Sequence, residues 1–131
     1  MSYIYSGCVP SEISSVCSKT KRVVSELSKH TDLNEEEIQN LRLILSELMI
    51  NSCDHGNGND SNKLISMTIE VDPDDITLIV KDEGRGINWS KEVACQRNLS
   101  ASGRGLRIVS ALSDDFTIRE SEVRCRINRQ K

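Results

Sequence analysis

Glu47 and Asn51 stand one helical turn apart inside an otherwise apolar run, IQNLRLILSELMINSCDHG. Side chains at that spacing share one side of a helix. Leaving a carboxylate in apolar surroundings costs free energy unless something binds it. Either the pair is satisfied locally, with Asn51 bonded near the helix C-terminus and Glu47 paired with a Lys or Arg, or it faces a ligand. Two glycine loops bear on that choice. VKDEGRGI places Asp82 at the end of a strand, followed by Gly84, Gly86 and Ile87. SASGRGLRIV places Gly103, Arg104, Gly105 and Leu106 at the entry to a helix, with Arg107 close behind. Glycines entering a helix let backbone N–H groups converge on an anion, and the helix dipole adds to the attraction. Arg104 and Arg107 reinforce a phosphate reading. The chain has no G-x-x-x-x-G-K-[ST] and none of V-A-I-K, H-R-D or D-F-G, so it is neither a P-loop protein nor a eukaryotic-type kinase.

The elements that must hold these residues can be read from periodicity. Tyr3-Ile4-Tyr5 suggests a short strand ended by Gly7 and Pro10. Ile13, Val16, Cys17, Val23, Val24 and Leu27 recur at helical spacing, with Ser11 as the expected N-cap. Asn34 should cap a second helix, with Glu37 in capping-box position, running from about residue 35 to residue 54 until HGNGND stops it. On this helix Ile38, Leu41, Ile44, Leu45, Leu48 and Met49 form a broad apolar face. Leu43 and Ile50 lie on another side, and Asn40, Glu47 and Asn51 fall between the two. A helix apolar on two sides is expected to be covered on two sides. LISMTIEV and ITLIVKD, joined by DPDD, predict a hairpin. GRGLRIVSALS predicts a short helix, and DFTIRE and EVRCRINR two further strands. The resulting order suits an α+β fold, a two-layer α/β sandwich with helices on one face of a mixed, mainly antiparallel sheet.

Bulk properties narrow the class. A chain of 131 residues is expected to form a single domain, residues 1–131, around one core. A net charge of −3 argues against nucleic acid as a direct partner, although SGRGLRIVS is locally basic. No apolar run approaches the roughly 20 residues a bilayer span requires. The N-terminus lacks the basic start and apolar core of a signal peptide. A cytoplasmic protein is therefore expected, without membrane contact. Cys8, Cys17, Cys53, Cys95 and Cys125 are widely spread with no C-x-x-C pair, which predicts reduced, mostly buried thiols and no zinc site.

Taken together, E-x-x-x-N-x-x-x-H-G, D-x-G-x-G-I and G-x-G-L resemble the N, G1 and G2 boxes of the GHKL ATPases. That superfamily includes gyrase B, the MutL repair proteins and the histidine kinases. The resemblance is nearest to its short bacterial branch, the anti-sigma-factor serine/threonine kinases, and it extends over nearly the whole chain. It implies the Bergerat-type ATP-binding fold with ATP and Mg²⁺ as cofactors. Asn51 would hold the metal through its side-chain oxygen, and Asp82 would accept a hydrogen bond from the adenine amino group. Gly84, Gly86 and Ile87 would make room for base and ribose. Gly103, Arg104, Gly105 and Leu106 would cradle the phosphates. Glu47, one turn before the metal ligand, would be catalytic, orienting the attacking hydroxyl or water. A sigma factor and an anti-sigma-factor antagonist would be the partners of a homodimer.

Two features depart from the family pattern. The segment between Gly86 and Gly103 is short for an ATP lid, and RESEVRCRI lacks the Gly-Thr pair that enters the last strand. Alternative readings therefore stand beside the kinase. One is a nucleotide-tuned binding module with little transfer. Another is the catalytic half of a split histidine kinase. Arg85 is either a solvated loop charge or a nucleotide contact, and Trp89 either packs under the lid or stacks on a ligand. His55 is expected to support the helix end. Lys19, Lys21 and Arg22 mark a basic helix face that is either a partner surface or simply solvated.

Overall fold

A computed structural model describes residues 2–53, 60–83, 109–119 and 121–129. In chain order the elements are β1 (Tyr3–Pro10), α1 (Ile13–His30), α2 (Glu35–Asn51), β2 (Leu64–Val71), β3 (Asp75–Lys81), β4 (Asp115–Arg119) and β5 (Glu122–Asn128). Residues 109–112 are also helical. The strands form one five-stranded sheet in the order β1-β2-β3-β5-β4. Every pairing in it is antiparallel. The α+β class is as the sequence suggested, with a sheet more uniformly antiparallel than the expected mixed one.

Alternation decides which sheet face meets the helices. Ile65, Met67, Ile69 and Val71 of β2 are buried, as are Ile76, Leu78 and Val80 of β3 and Val123 and Cys125 of β5. They pack with Val16, Val23, Val24 and Leu27 of α1 and Leu41, Ile44, Leu45, Leu48 and Met49 of α2. Asp72 closes the β2–β3 hairpin by accepting from the N–H groups of Asp74 and Asp75 at 2.9 and 2.7 Å.

Several local expectations are revised. β1 does not stop at Gly7 but pairs with β2 from Tyr3 to Pro10. A side chain at Gly7 would meet the Tyr5 hydroxyl at 3.0 Å and the Lys19 ammonium at 3.3 Å, so the glycine makes room rather than breaking the strand. Ser11 does not cap α1: its Oγ donates to the Lys63 carbonyl at 3.0 Å, and Glu12 occupies the N-cap position. Ile13 and Cys17 are exposed, and Thr20 takes a place in the buried stripe by donating its hydroxyl to the Val16 carbonyl at 2.9 Å. Leu43 stays 38% exposed, so the second side of α2 is only partly covered among the described residues.

The ends of α2 fix the geometry of the site. Asn34 accepts from the Glu37 N–H at 2.8 Å while Glu37 accepts from the Asn34 N–H at 3.0 Å, the capping box the sequence predicted. Arg129 then donates to Glu37 Oε2 at 3.0 Å and to the Asp72 carbonyl at 2.9 Å. The N-terminus of α2 therefore shares one end of the molecule with the β2–β3 turn. α2 runs from its cap to Asn51, and β3 runs from that turn to its far end, where Asp82 follows it. There the Leu64 N–H, opening β2, donates to the Glu83 carboxylate just beyond β3.

Candidate functional site

Asn51 ends α2 and is 1% exposed. Its Nδ2 donates to the Glu47 carbonyl at 2.7 Å, which fixes the rotamer. The local reading of the pair thus holds for the amide nitrogen only. Oδ1 is buried and, among the described residues, has no hydrogen-bond partner. A buried polar atom left in that state is costly and calls for an explanation. Its chemistry is that of a hard oxygen donor with no competing proton, which fits a magnesium ligand.

Glu47 is half-buried one turn earlier. Among the described residues no Lys or Arg forms an ion pair with it. Burial pushes its carboxyl above the ordinary glutamate value. A carboxylate raised in this way has greater affinity for a proton than an exposed one, a property suited to a group that accepts a proton during reaction.

Beyond Asn51 the helix widens. The N–H of Ser52 reaches the carbonyls of both Leu48 and Met49, and Ser52 and Cys53 form a π-helical turn. Such turns recur at functional sites because they re-aim side chains. Ser52 is fully buried, and its Oγ also finds no partner among the described residues. The sequence reading passed over Ser52. The available signal was a small hydroxyl directly after the asparagine of the first motif.

Asp82 follows β3 and is 4% exposed. Its backbone N–H donates to the Ser121 carbonyl at 3.0 Å, which seats the β4–β5 turn against it. Ser121 occupies the stretch where the family pattern has its Gly-Thr pair, so main-chain bonding from that turn supports Asp82 here. Asp82 thus stands at the end of β3 away from the turn that Arg129 ties to the α2 cap, while Glu47 and Asn51 lie in the last turns of α2. Gly84, Gly86, Ile87, Gly103, Arg104, Gly105 and Leu106 lie outside the described residues, as do Arg85, Trp89, Arg107 and His55.

A cavity of about 670 Å³ opens at the other end of α2, among Tyr3, His30, Asn34, Glu37 and Arg129. Glu37 and Arg129 in its lining are paired with one another, and His30 is bonded to Glu26 outside it. It leaves no orphaned donor or acceptor to explain, unlike the Asn51 end. Among the described residues no cluster of His, Cys, Asp and Glu could hold a metal ion by itself. A magnesium ion at the Asn51 end would therefore need ligands beyond these side-chain types, of which the Asn51 oxygen is one that fits. Cys8 and Cys17 are exposed and Cys53 and Cys125 buried, so burial of the thiols is less general than expected, while Cys95 lies outside the described residues. No described helix is long and apolar enough to cross a membrane.

Known proteins resemble the chain over most of its length. The chain is 28% identical over 104 residues to the anti-sigma F factor of Clostridium novyi (strain NT), covering 76% of this chain and 73% of that one. It is 30% identical over 105 residues to the anti-sigma F factor of Geobacillus stearothermophilus, covering 76% and 68% respectively. To the anti-sigma F factor of Shouchella clausii (strain KSM-K16) it is 29% identical over 100 residues. The profile of the histidine kinase-like ATPase domain matches residues 9–128. With nearly its whole length matched, the chain belongs to the histidine kinase-like ATPase domain family.

Proposed function

We propose that this chain is a cytoplasmic, single-domain ATP-dependent serine/threonine protein kinase that acts as an anti-sigma factor and phosphorylates an antagonist protein. The observation that carries the reading is the buried Asn51 Oδ1, held in place by its own amide and without a partner among the described residues. In this reading Asn51 holds Mg²⁺, which neutralises charge on the nucleotide phosphates. Asp82 accepts from the adenine amino group, which selects ATP over GTP. Gly84, Gly86 and Ile87 accommodate base and ribose, and Gly103, Arg104, Gly105 and Leu106 hold the phosphates.

Glu47 orients the acceptor hydroxyl and takes its proton as transfer proceeds. Phosphoryl transfer asks mainly for positioning and charge neutralisation, and a single well-placed carboxylate suffices for the proton. The elevated affinity of Glu47 for a proton supports that role. The anti-sigma F factors it is similar to support a sigma factor and an antagonist as partners; a homodimer is the working form that the motif resemblance implies.

The test is phosphoryl transfer from γ-labelled ATP to a purified antagonist, with wild type beside Glu47→Gln. Transfer to a serine or threonine that disappears in the variant, while ATP binding persists, supports the kinase. Binding without transfer in wild type favours the nucleotide-tuned binding module, which the short segment between Gly86 and Gly103 would suit.

A further inference from the structure

β1 is an edge strand of eight residues that, among the described residues, pairs only with β2. Such an edge offers unpaired N–H and C=O groups to any extended chain that reaches it. Two clefts run along it against α1. One, of about 350 Å³, lies between Cys8 and Pro10 of the strand and Ser18, Lys19 and Arg22 of the helix. The other, of about 330 Å³, continues past Tyr5 to Lys29 and again includes Lys19 and Arg22.

Lys19, Arg22 and Lys29 fall at helical spacing, so they form one stripe about 15 Å long at ~1.5 Å rise per residue. None of the three forms an ion pair with a carboxylate among the described residues. The acidic group on the same stripe, Glu26, is turned to His30 at 3.2 Å. Lys19 lies 5.5 Å from the centre of the Tyr5 ring, and the absent side chain of Gly7 leaves room for both. With three cations against the one carboxylate of Glu26, the stripe keeps a net positive charge beside the strand edge, on a chain whose net charge is −3. It has the charge complement of an acidic ligand.

We propose that the cleft between the β1 edge and the Lys19–Arg22–Lys29 stripe takes an extended acidic segment of a partner protein, added to the sheet beside β1. Main-chain pairing supplies the affinity, and acidic side chains on alternate positions supply the selectivity. Alternate residues of a strand repeat every ~6.8 Å, so acidic groups on one face of about five residues span the stripe. The inference is independent of the nucleotide site and holds whether or not phosphate is transferred.

The test uses the full chain and a fluorescein-labelled eight-residue peptide alternating glutamate and valine, followed by fluorescence polarisation. Binding is expected to weaken roughly tenfold or more in the Lys19→Glu, Arg22→Glu double variant and to survive in Lys19→Arg. These side chains lie outside the core, and an unchanged far-UV circular dichroism spectrum confirms that the double variant is folded. N-methylation of one alternate set of peptide amides is expected to abolish binding, and of the other set to leave it, because only one set faces β1. The proposal is overturned if the peptide does not bind, or if charge reversal leaves affinity unchanged. It is also overturned if both methylated peptides bind like the parent. Tighter binding of a dT oligonucleotide or of phosphatidylserine vesicles than of the peptide, lost in the same double variant, would assign the stripe to phosphate instead.

Discussion

At its N-terminal end α2 has its cap and Glu37 fully engaged, while at its C-terminal end two buried oxygens have no partner among the described residues. Asn34 and Glu37 satisfy each other's backbone N–H groups, and Arg129 adds an ion pair to Glu37 with both side chains about 15% exposed. Burial alone would raise the Glu37 carboxyl. The Arg129 hydrogen bond, the Asn34 N–H and the Arg129 charge outweigh it and hold the group below its ordinary value. At the other end burial raises the Glu47 carboxyl, and among the described residues Asn51 Oδ1 and Ser52 Oγ have no partner. One helix thus carries a stabilising end and an end whose unmet demands suit a ligand, as expected where function is maintained at some expense of stability.

The sharpest way to break this contrast is to mutate both ends and read activity and stability separately. Glu47→Gln should lower phosphoryl transfer about 10²–10⁴-fold, the usual worth of a positioned general base, while nucleotide binding persists. The same variant should melt above wild type at neutral pH. A carboxyl raised by burial costs stability once ionised, so the advantage is present above its folded pKa and vanishes as pH falls below the unfolded value. Thermal melts from pH 4 to 8 check this.

Glu37→Ala should do the reverse, costing about 2 kcal/mol in urea denaturation with the Mg·ATP response intact. That figure is below the cost of breaking a fully buried pair, because both partners keep some solvent contact. Its pH dependence has the opposite sign to that of Glu47. The Glu37 contribution is complete above the unfolded pKa and is lost as pH falls through the lower folded one, so wild type and Glu37→Gln should converge in acid. The smallest effect is expected from Asn34→Ala, about 1 kcal/mol for loss of an N-cap, again with no effect on nucleotide.

The N-terminal end of α2 was legible because capping chemistry is local: Asn34 and Glu37 sit in one turn, and no distant residue is needed to read them. The hairpin was legible for the same reason, with β2 and β3 alternating cleanly around the DPDD turn. What escaped depends on contacts far apart in sequence. Gly7 reads as a strand breaker until Tyr5 and Lys19 are seen to occupy the space beside it. Ser11 reads as a cap until Lys63 claims its hydroxyl. Helical spacing finds the α1 stripe but does not say that Thr20 faces inward and Cys17 outward. At the site, Glu47, Asn51 and Asp82 were named from motifs, and Asn51 and Asp82 are buried where α2 and β3 end. Ser52 was missed because its burial follows from a widened turn that propensity does not encode.

The most direct measurement is a thermal shift with saturating Mg·ATP, and with ATP plus chelator, on wild type, Asn34→Ala and Asn51→Ala. Ligand at about 100 times its Kd stabilises the folded state by about 2.7 kcal/mol. Wild type and Asn34→Ala should show that magnesium-dependent stabilisation in full, the second from a lower starting temperature, and Asn51→Ala should lose it. An Asn51→Ala protein that still gains magnesium-dependent stability, or a wild type that gains none, would contradict the assignment of the orphaned Asn51 oxygen to a magnesium nucleotide.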